Sequence, residues 1–162
     1  MAGARRHEKR RLIGVISDTH GLMRPEALAA LAGSDLLIHA GDVGKPEVLK
    51  ALQSIAPVIA VRGNNDKGQW ARHLQETAVV KAGKVLIYVL HDVKEFNLDP
   101  KARGFRVIIS GHSHRPSVVE REGVLFLNPG SAGPRRFKLP VCVARLRIEG
   151  ASLDAKIAEL KV

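Results

Sequence analysis

The chain has 162 residues, of which 45% are hydrophobic, with a formal net charge of +10 and an isoelectric point of about 10.3. This length and composition predict one globular domain with a core of its own, and they exclude a disordered chain. Cys142 is the only cysteine, which excludes an internal disulfide and fits a reducing, cytoplasmic setting, and no apolar run approaches the roughly 18 residues a membrane span needs.

Residues 1–11 hold five Arg or Lys and one Glu, so +4 of the charge sits in a basic arm that is expected to be disordered. The apolar stretch that follows, "LIGVIS", is too short for a signal peptide and runs into "DTH" without a cleavage site, so the chain reads as soluble and unexported. "RLIGVISD" is a continuous apolar run that suits a strand buried on both faces. "RPEALAALAG" carries Pro25 at the start and Gly33 past the end, the punctuation of a helix. "DLLIHAGD", "KPEVLKALQS" and "PVIAVRGNND" then predict a strand, a helix and a strand, and this β-α-β-α-β pattern implies a parallel sheet.

The second half reads differently. "TAVVKAGKVLIYVLHD" predicts two strands about an Ala-Gly-Lys turn, "NLDPKARG" a helical turn, and "FRVIISGHSH" another buried strand. "SVVEREGVLFLNPGS" and "VCVARLRIEGASLDAKIAEL" predict hairpins turning at "REG" and "EGAS". The fold class is therefore α/β, a mixed parallel and antiparallel two-sheet core with helices outside, in one domain over residues 12–162.

Polar residues collect where these strands end. "SDTH" supplies Asp18 and His20, "AGDV" Asp42, "RGNND" Asn64, "VLHD" His91, and "SGHSH" His112 and His114. Each fragment alone is a plausible turn or helix cap. Five strand ends carrying only Asp, Asn and His are hard to obtain from turn chemistry, and ligand sites in such sheets lie at the carboxyl ends of strands. The set is too rich in nitrogen for calcium or magnesium and lacks the thiolates of a structural zinc site. Seven ligands exceed the needs of one ion, whereas two ions sharing a carboxylate would use them all. Manganese, iron, zinc, cobalt and nickel all fit.

The joint pattern D-x-H, GD, GN, H and GHxH, with "NPGSAGPRR" after it, resembles the calcineurin-like metallophosphoesterases, most closely the small single-domain YfcE-like phosphodiesterases, from about Leu12 to Leu146. The resemblance implies a two-sheet β-sandwich flanked by helices. It implies that Asp18, His20 and His114 hold one divalent ion, that Asn64, His91 and His112 hold another, and that Asp42 bridges them. Hydroxide shared by the ions would then attack phosphorus in line, with manganese the first choice of metal and a small phosphorylated compound the substrate. On this reading Asp42, Asn64 and His112 belong to the catalytic machinery.

Many relatives place a histidine after the GN motif to protonate the leaving group, and here that position is Asn65. Asp66, Asp92 and His39 are the candidate replacements, with Asp66 included among the catalytic residues. The absence of D-R-G after "GD" argues against phosphoprotein substrates. Arg24, Arg135 and Arg136 are candidate substrate contacts, and a homo-oligomer is a further expectation from the resemblance. Two other function classes stand beside the enzyme: an interaction scaffold on the same fold, and a nuclease or nucleic-acid binder using the basic arm.

Overall fold

A computed structural model of the chain describes residues 9–162. Ten strands form two five-stranded sheets. The first contains β1 (Arg10–Ile16), β2 (Leu36–His39), β3 (Val58–Ala60), β9 (Cys142–Glu149) and β10 (Ser152–Glu159), in the order β10-β9-β1-β2-β3. Within it β1, β2 and β3 run parallel, joined through α1 (Pro25–Leu31) and α2 (Pro46–Gln53), while β9 and β10 form the antiparallel hairpin predicted at "EGAS".

The second sheet is built from β4 (Thr77–Ala82), β5 (Val85–Leu90), β6 (Phe105–Ile109), β7 (Ser117–Arg121) and β8 (Val124–Asn128), in the order β4-β5-β6-β8-β7. Its central strands β5, β6 and β8 are parallel and its edges β4 and β7 antiparallel. The helical turn expected in "NLDPKARG" is α3 (Pro100–Arg103), capped by the Asp99 side chain and closed by Gly104 at φ +79°. Both helical crossovers begin with proline, which fixes φ and gives up an amide that the first turn would leave unpaired.

The inner faces of the sheets make the main core. Ile13, Val15, Ile38 and Val61 of the first layer meet Val80, Ile87, Val89, Val107, Ile109 and Leu127 of the second, all buried. A second cluster, with Ile16, Leu37 and Val143 against Ala27, Leu31, Val48 and Leu52, seats the two helices on the outside of the first sheet. The continuous apolar runs of β1, β2 and β6 follow from this: each strand has a covered surface on both faces.

One boundary differs from the sequence reading. Arg10 and Arg11 belong to β1, where they pair with Glu149 and Ile148 of β9. The antiparallel partner continues past the parallel pairing with β2, so the ladder extends the strand expected from "RLIGVISD" back into the basic segment by one residue, Arg10. Residues 1–8 of that arm lie outside the described residues.

Candidate metal centre

All the parallel strands end at one edge of the sandwich, and the loops that leave them carry the chemistry. Asp18 and His20 follow β1, Asp42 follows β2, Asn64 follows β3, His91 follows β5, and His112 and His114 follow β6. The backbone there is held in a rare conformation. Seven non-glycine residues among those described have positive φ, and five of them are Asp18, His20, Asp42, His112 and His114. Such conformations cost free energy and persist only where surrounding contacts dictate them.

Those contacts tie the sheets together. The Asp18 and His20 amides donate to Gly41 and Asp42 carbonyls at 3.0 and 2.9 Å, and the Ala132 amide crosses from the second sheet to the Ser17 carbonyl at 3.0 Å. Asp18 Oδ2 accepts from the Ser17 hydroxyl at 2.7 Å and from the His112 amide at 3.0 Å. This leaves Asp18 Oδ1 directed at imidazoles: 3.3 Å from His114 Nε2 and 3.8 Å from the Nε2 atoms of His20 and His91. Asp42 Oδ2 lies 3.7 Å from His20 Nε2 and 3.3 Å from His91 Nε2.

Four ligand-type atoms here are buried without a hydrogen-bond partner: Asp18 Oδ1, His20 Nε2, His91 Nε2 and His114 Nδ1. An unpaired buried polar atom is costly, and four together need a common partner. Asp18, His20 and His114 bring ligand atoms within 4.8 Å of one another, and so do Asp18, Asp42 and His91. The four rings fall into two pairs, His20 with His114 at 5.4 Å and His91 with His112 at 5.1 Å. Asn64 is exposed, but with His91 and His112 it lines one cleft of about 270 Å³. The donor set and its orphaned atoms fit divalent cations, and Asp18 as well as Asp42 stands between the two ring pairs.

Electrostatics point the same way. Burial works to raise the Asp42 carboxyl, but the His91 imidazole beside it and the hydrogen bonds from Asn65 outweigh burial and hold it below the usual carboxylate range. Asp18 is likewise lowered against its burial by His114, Ser17 and the charge of His91. Burial opposes protonation of His91, yet Asp42, the Ala40 carbonyl and Asp18 together push it up to about 9. Two buried carboxylates thus draw positive charge to the spot. His91 Nδ1–H donates to the Ala40 carbonyl at 2.7 Å, which aims Nε2 at the carboxylates.

The three candidate acids separate clearly. Asp66, expected among the catalytic residues, is instead engaged by backbone: its carboxylate accepts from the amides of Val43, Gly44 and Gly63 at 3.2, 2.9 and 2.9 Å, so it clamps the Asp42 loop to the "GNND" turn. His39 is fully buried; its Nδ1 accepts from the Gly41 amide at 3.1 Å and its Nε2–H donates to Thr19 Oγ1 at 3.0 Å. Asp92 alone lines the ligand cleft, 3.8 Å from His112 Nε2. Asn65 donates its amide and its Nδ2 to the two Asp42 oxygens at 2.8 and 3.0 Å, a contact that the sequence offered no sign of because the site needs the folded loop to form.

The candidate substrate cations also part company. Arg24 donates to the Gly133 carbonyl at 3.2 Å, linking the first ligand loop to the "NPGSAG" segment, whereas Arg135 and Arg136 are exposed beyond it. Ser131 of that segment donates its hydroxyl to the Asp18 carbonyl at 3.0 Å, and Asn128 Nδ2 donates to the Gly111 carbonyl at 2.9 Å. Both residues therefore support the ligand loops from behind.

Two tests of this scaffold follow. A Cβ at Gly63 would come within 2.8 Å of Asp42 Cγ and closer to its Oδ1 and amide nitrogen. Gly63→Ala should therefore destabilise the protein by about 1–3 kcal/mol in urea unfolding. The second concerns pH. Burial outweighs the nearby carboxylates and holds His39 down at about 4, against an ordinary value of 6.5. The unfolded chain takes up that proton below pH 6.5 and the folded chain does so only near 4, so this stability is complete above 6.5 and is lost as pH falls toward 4. The loss amounts to about 3 kcal/mol. In chelator, urea midpoints should fall more steeply from pH 7 to 4.5 for the wild type than for His39→Gln; equal slopes would refute the burial argument.

Residues 12–151 match the family model of the calcineurin-like phosphoesterase superfamily domain. The chain belongs to the calcineurin-like phosphoesterase superfamily. It is 38% identical to the relative named probable metallophosphoesterase of Methanothermobacter thermautotrophicus, over 90% of this chain and 91% of that one. It is 27% identical to a phosphodiesterase of Methanocaldococcus jannaschii, over 73% of this chain and 82% of that one. Two solved structures share the fold of this phosphoesterase. An archaeal phosphodiesterase gives a TM-score of 0.75 at 23% identity, covering 91% of this chain and 99% of its own. Vacuolar protein sorting 29 from Cryptosporidium parvum gives 0.74 at 19%, covering 94% and 99%. The family and the two-sheet sandwich expected from the motifs both hold. No helix among the described residues is long and apolar enough to cross a membrane.

Proposed function

We propose that this phosphoesterase is a phosphodiesterase of small phosphorylated compounds that works with two divalent ions, manganese foremost. The observation that carries the reading is the convergence of the unpartnered Nε2 atoms of His20 and His91 on Asp18 Oδ1, itself unpartnered, and on Asp42 Oδ2, with His114 beside them. Asp18, His20 and His114 would hold one ion, Asn64, His91 and His112 the other, and Asp42 would stand between them. When bound, such ions polarise a phosphoryl oxygen and lower the pKa of water for in-line attack on phosphorus.

The chain's own part is to orient. The Ala40 carbonyl fixes the His91 tautomer, Ser17 and the His112 amide occupy one Asp18 oxygen so that the other faces inward, and Asn65 anchors both Asp42 oxygens. Residues that orient ligands in this way commonly matter 10–100-fold for metal affinity or activity. The relative named a phosphodiesterase supports diesters over monoesters. The likeness to vacuolar protein sorting 29 supports the scaffold reading as the alternative, and the complete set of seven ligand-type side chains weighs against it.

The deciding experiment is hydrolysis of bis-p-nitrophenyl phosphate by chelator-stripped protein, with and without manganese, beside a thermal melt. Activity should appear only with metal. At a hundred times the dissociation constant the ion should add about 2.7 kcal/mol, or roughly 5–10 °C of melting temperature. A folded protein with no activity and no shift in manganese, nickel, cobalt or zinc would overturn the proposal.

A further inference from the structure

Beside the ligand loops runs a second cleft, of about 480 Å³, on the outer face of the second sheet. Its near end is made by the residues that follow the ligand positions: Val93 and Lys94 after His91, Ser113 after His112, and Arg115 after His114. From there it follows β8 and the edge strand β7, past Phe126 to Arg121. The cleft therefore begins on the loops that carry His91, His112 and His114, beside the cleft that those ligands line.

The lining is one-sided in charge. Lys94, Arg115 and Arg121 contribute three cations, and no Asp or Glu lines the cleft. Among the described residues none of the three forms an ion pair with a carboxylate. The cleft that holds His91 and His112 differs, with Glu76, Asp92 and Glu95 in its walls. The Arg121 guanidinium lies 5.6 Å from the centroid of the Phe126 ring, which positions it while leaving its N–H fork free for an anion. Arg121 pairs with Val124 at the turn end of the β7–β8 hairpin, and its guanidinium reaches back along β8 to Phe126, two residues before Asn128. Phe96, whose ring packs on Tyr88, and Phe126 also line the cleft, and aromatic surface is the kind on which a base stacks.

We infer that this cleft is a specificity subsite for nucleotide-type phosphodiesters, in which an ester group carries a base against Phe96 and Phe126 and a second phosphate at Lys94 and Arg121. The inference rests on the phosphodiesterase reading for its orientation. In the reaction the oxygen of water bonds to phosphorus, the bond from phosphorus to the departing ester oxygen breaks with its electron pair, a proton from the water passes to that oxygen or, for a phenolate, to solvent, and the nucleotide held in the cleft is released last as a monoester.

A matched pair of probes tests it: thymidine 5′-(p-nitrophenyl phosphate) with and without a 3′-phosphate, each releasing p-nitrophenolate. The 3′-phosphate should raise kcat/KM by about ten- to a hundredfold, the range expected for charge-assisted bonds. In Lys94→Gln/Arg121→Gln that preference should disappear while bis-p-nitrophenyl phosphate hydrolysis stays within twofold. Calorimetry on chelator-treated protein supplies a readout without turnover: thymidine 3′,5′-bisphosphate should bind at least tenfold more weakly to the double variant than to the wild type. Hydrolysis of the simple diester with no gain from the 3′-phosphate overturns the subsite and leaves the enzyme. A binding difference without hydrolysis in any metal sustains the subsite and removes the enzyme reading. Inorganic phosphate binding as tightly as the bisphosphate overturns the inference, since the aromatic surface would then contribute nothing.

Discussion

Asp42→Asn should lower manganese-dependent kcat/KM for bis-p-nitrophenyl phosphate by about 10³-fold, equivalent to about 4 kcal/mol of transition-state stabilisation, in a protein that still folds. Asparagine is the substitution that isolates the charge. It tolerates the φ of +56° at this position far better than alanine does, and its side-chain oxygen can still accept from the Asn65 amide. What disappears is the anionic oxygen 3.3 Å from His91 Nε2 and 3.7 Å from His20 Nε2, the atom best placed to be shared. The measurement pairs saturating-manganese kinetics with a melt in chelator, where the two proteins should agree within a few degrees. A variant that retains more than a tenth of wild-type activity at saturating metal would remove Asp42 from its central role and leave Asp18, which also lies between the two ring pairs, as the shared ligand.

The second large effect concerns the leaving group. Asn65 is committed to Asp42, Asp66 to three backbone amides, and His39 to Gly41 and Thr19, so none of them is free to deliver a proton. A positioned acid contributes about 10²–10⁴-fold, and its absence falls almost wholly on poor leaving groups. The enzyme should therefore hydrolyse simple alkyl diesters at least about 10²-fold more slowly than a relative that carries the histidine, while matching it on p-nitrophenyl diesters. Asn65→His should restore a large part of that deficit for alkyl diesters alone. Asp92 provides the internal check, because it is the one candidate acid in the ligand cleft. If Asp92→Asn selectively slowed alkyl diesters, the proton would come from Asp92 and the expectation drawn from Asn65 would be wrong.

The motifs were legible because each depends on a local rule. A parallel strand buried on both faces must be a continuous apolar run, and the chain can place polar ligands only after that run ends; "GVISDTH", "LIHAGD" and "IISGHSH" record both facts in a few residues. Pro25, Pro46 and Pro100 likewise announce helix starts, because proline acts through its own φ. The exact start of β1 is not legible in the sequence, because Arg10 and Arg11 have no apolar signal of their own. They are strand residues only through their partners in β9, more than 130 positions away in the chain.

The same division governs the site. The α/β class and the cluster of candidate ligand residues at strand ends could be read from the letters alone, and the resemblance they carry marks Asn65 as standing where many relatives have a histidine. Tertiary structure decided what each remaining polar group does, since that depends on contacts between distant segments. Asp66 and Asp92 are alike as letters, yet one closes a turn with Val43 and Gly44 and the other faces a cleft beside His112. The pairing of His20 with His114 and of His91 with His112 joins loops from different strands, and Lys94, Arg115 and Arg121 share one cleft only because β7 folds back beside β8. Charge, burial and hydrogen bonding in such places are set by neighbours that only the folded chain supplies.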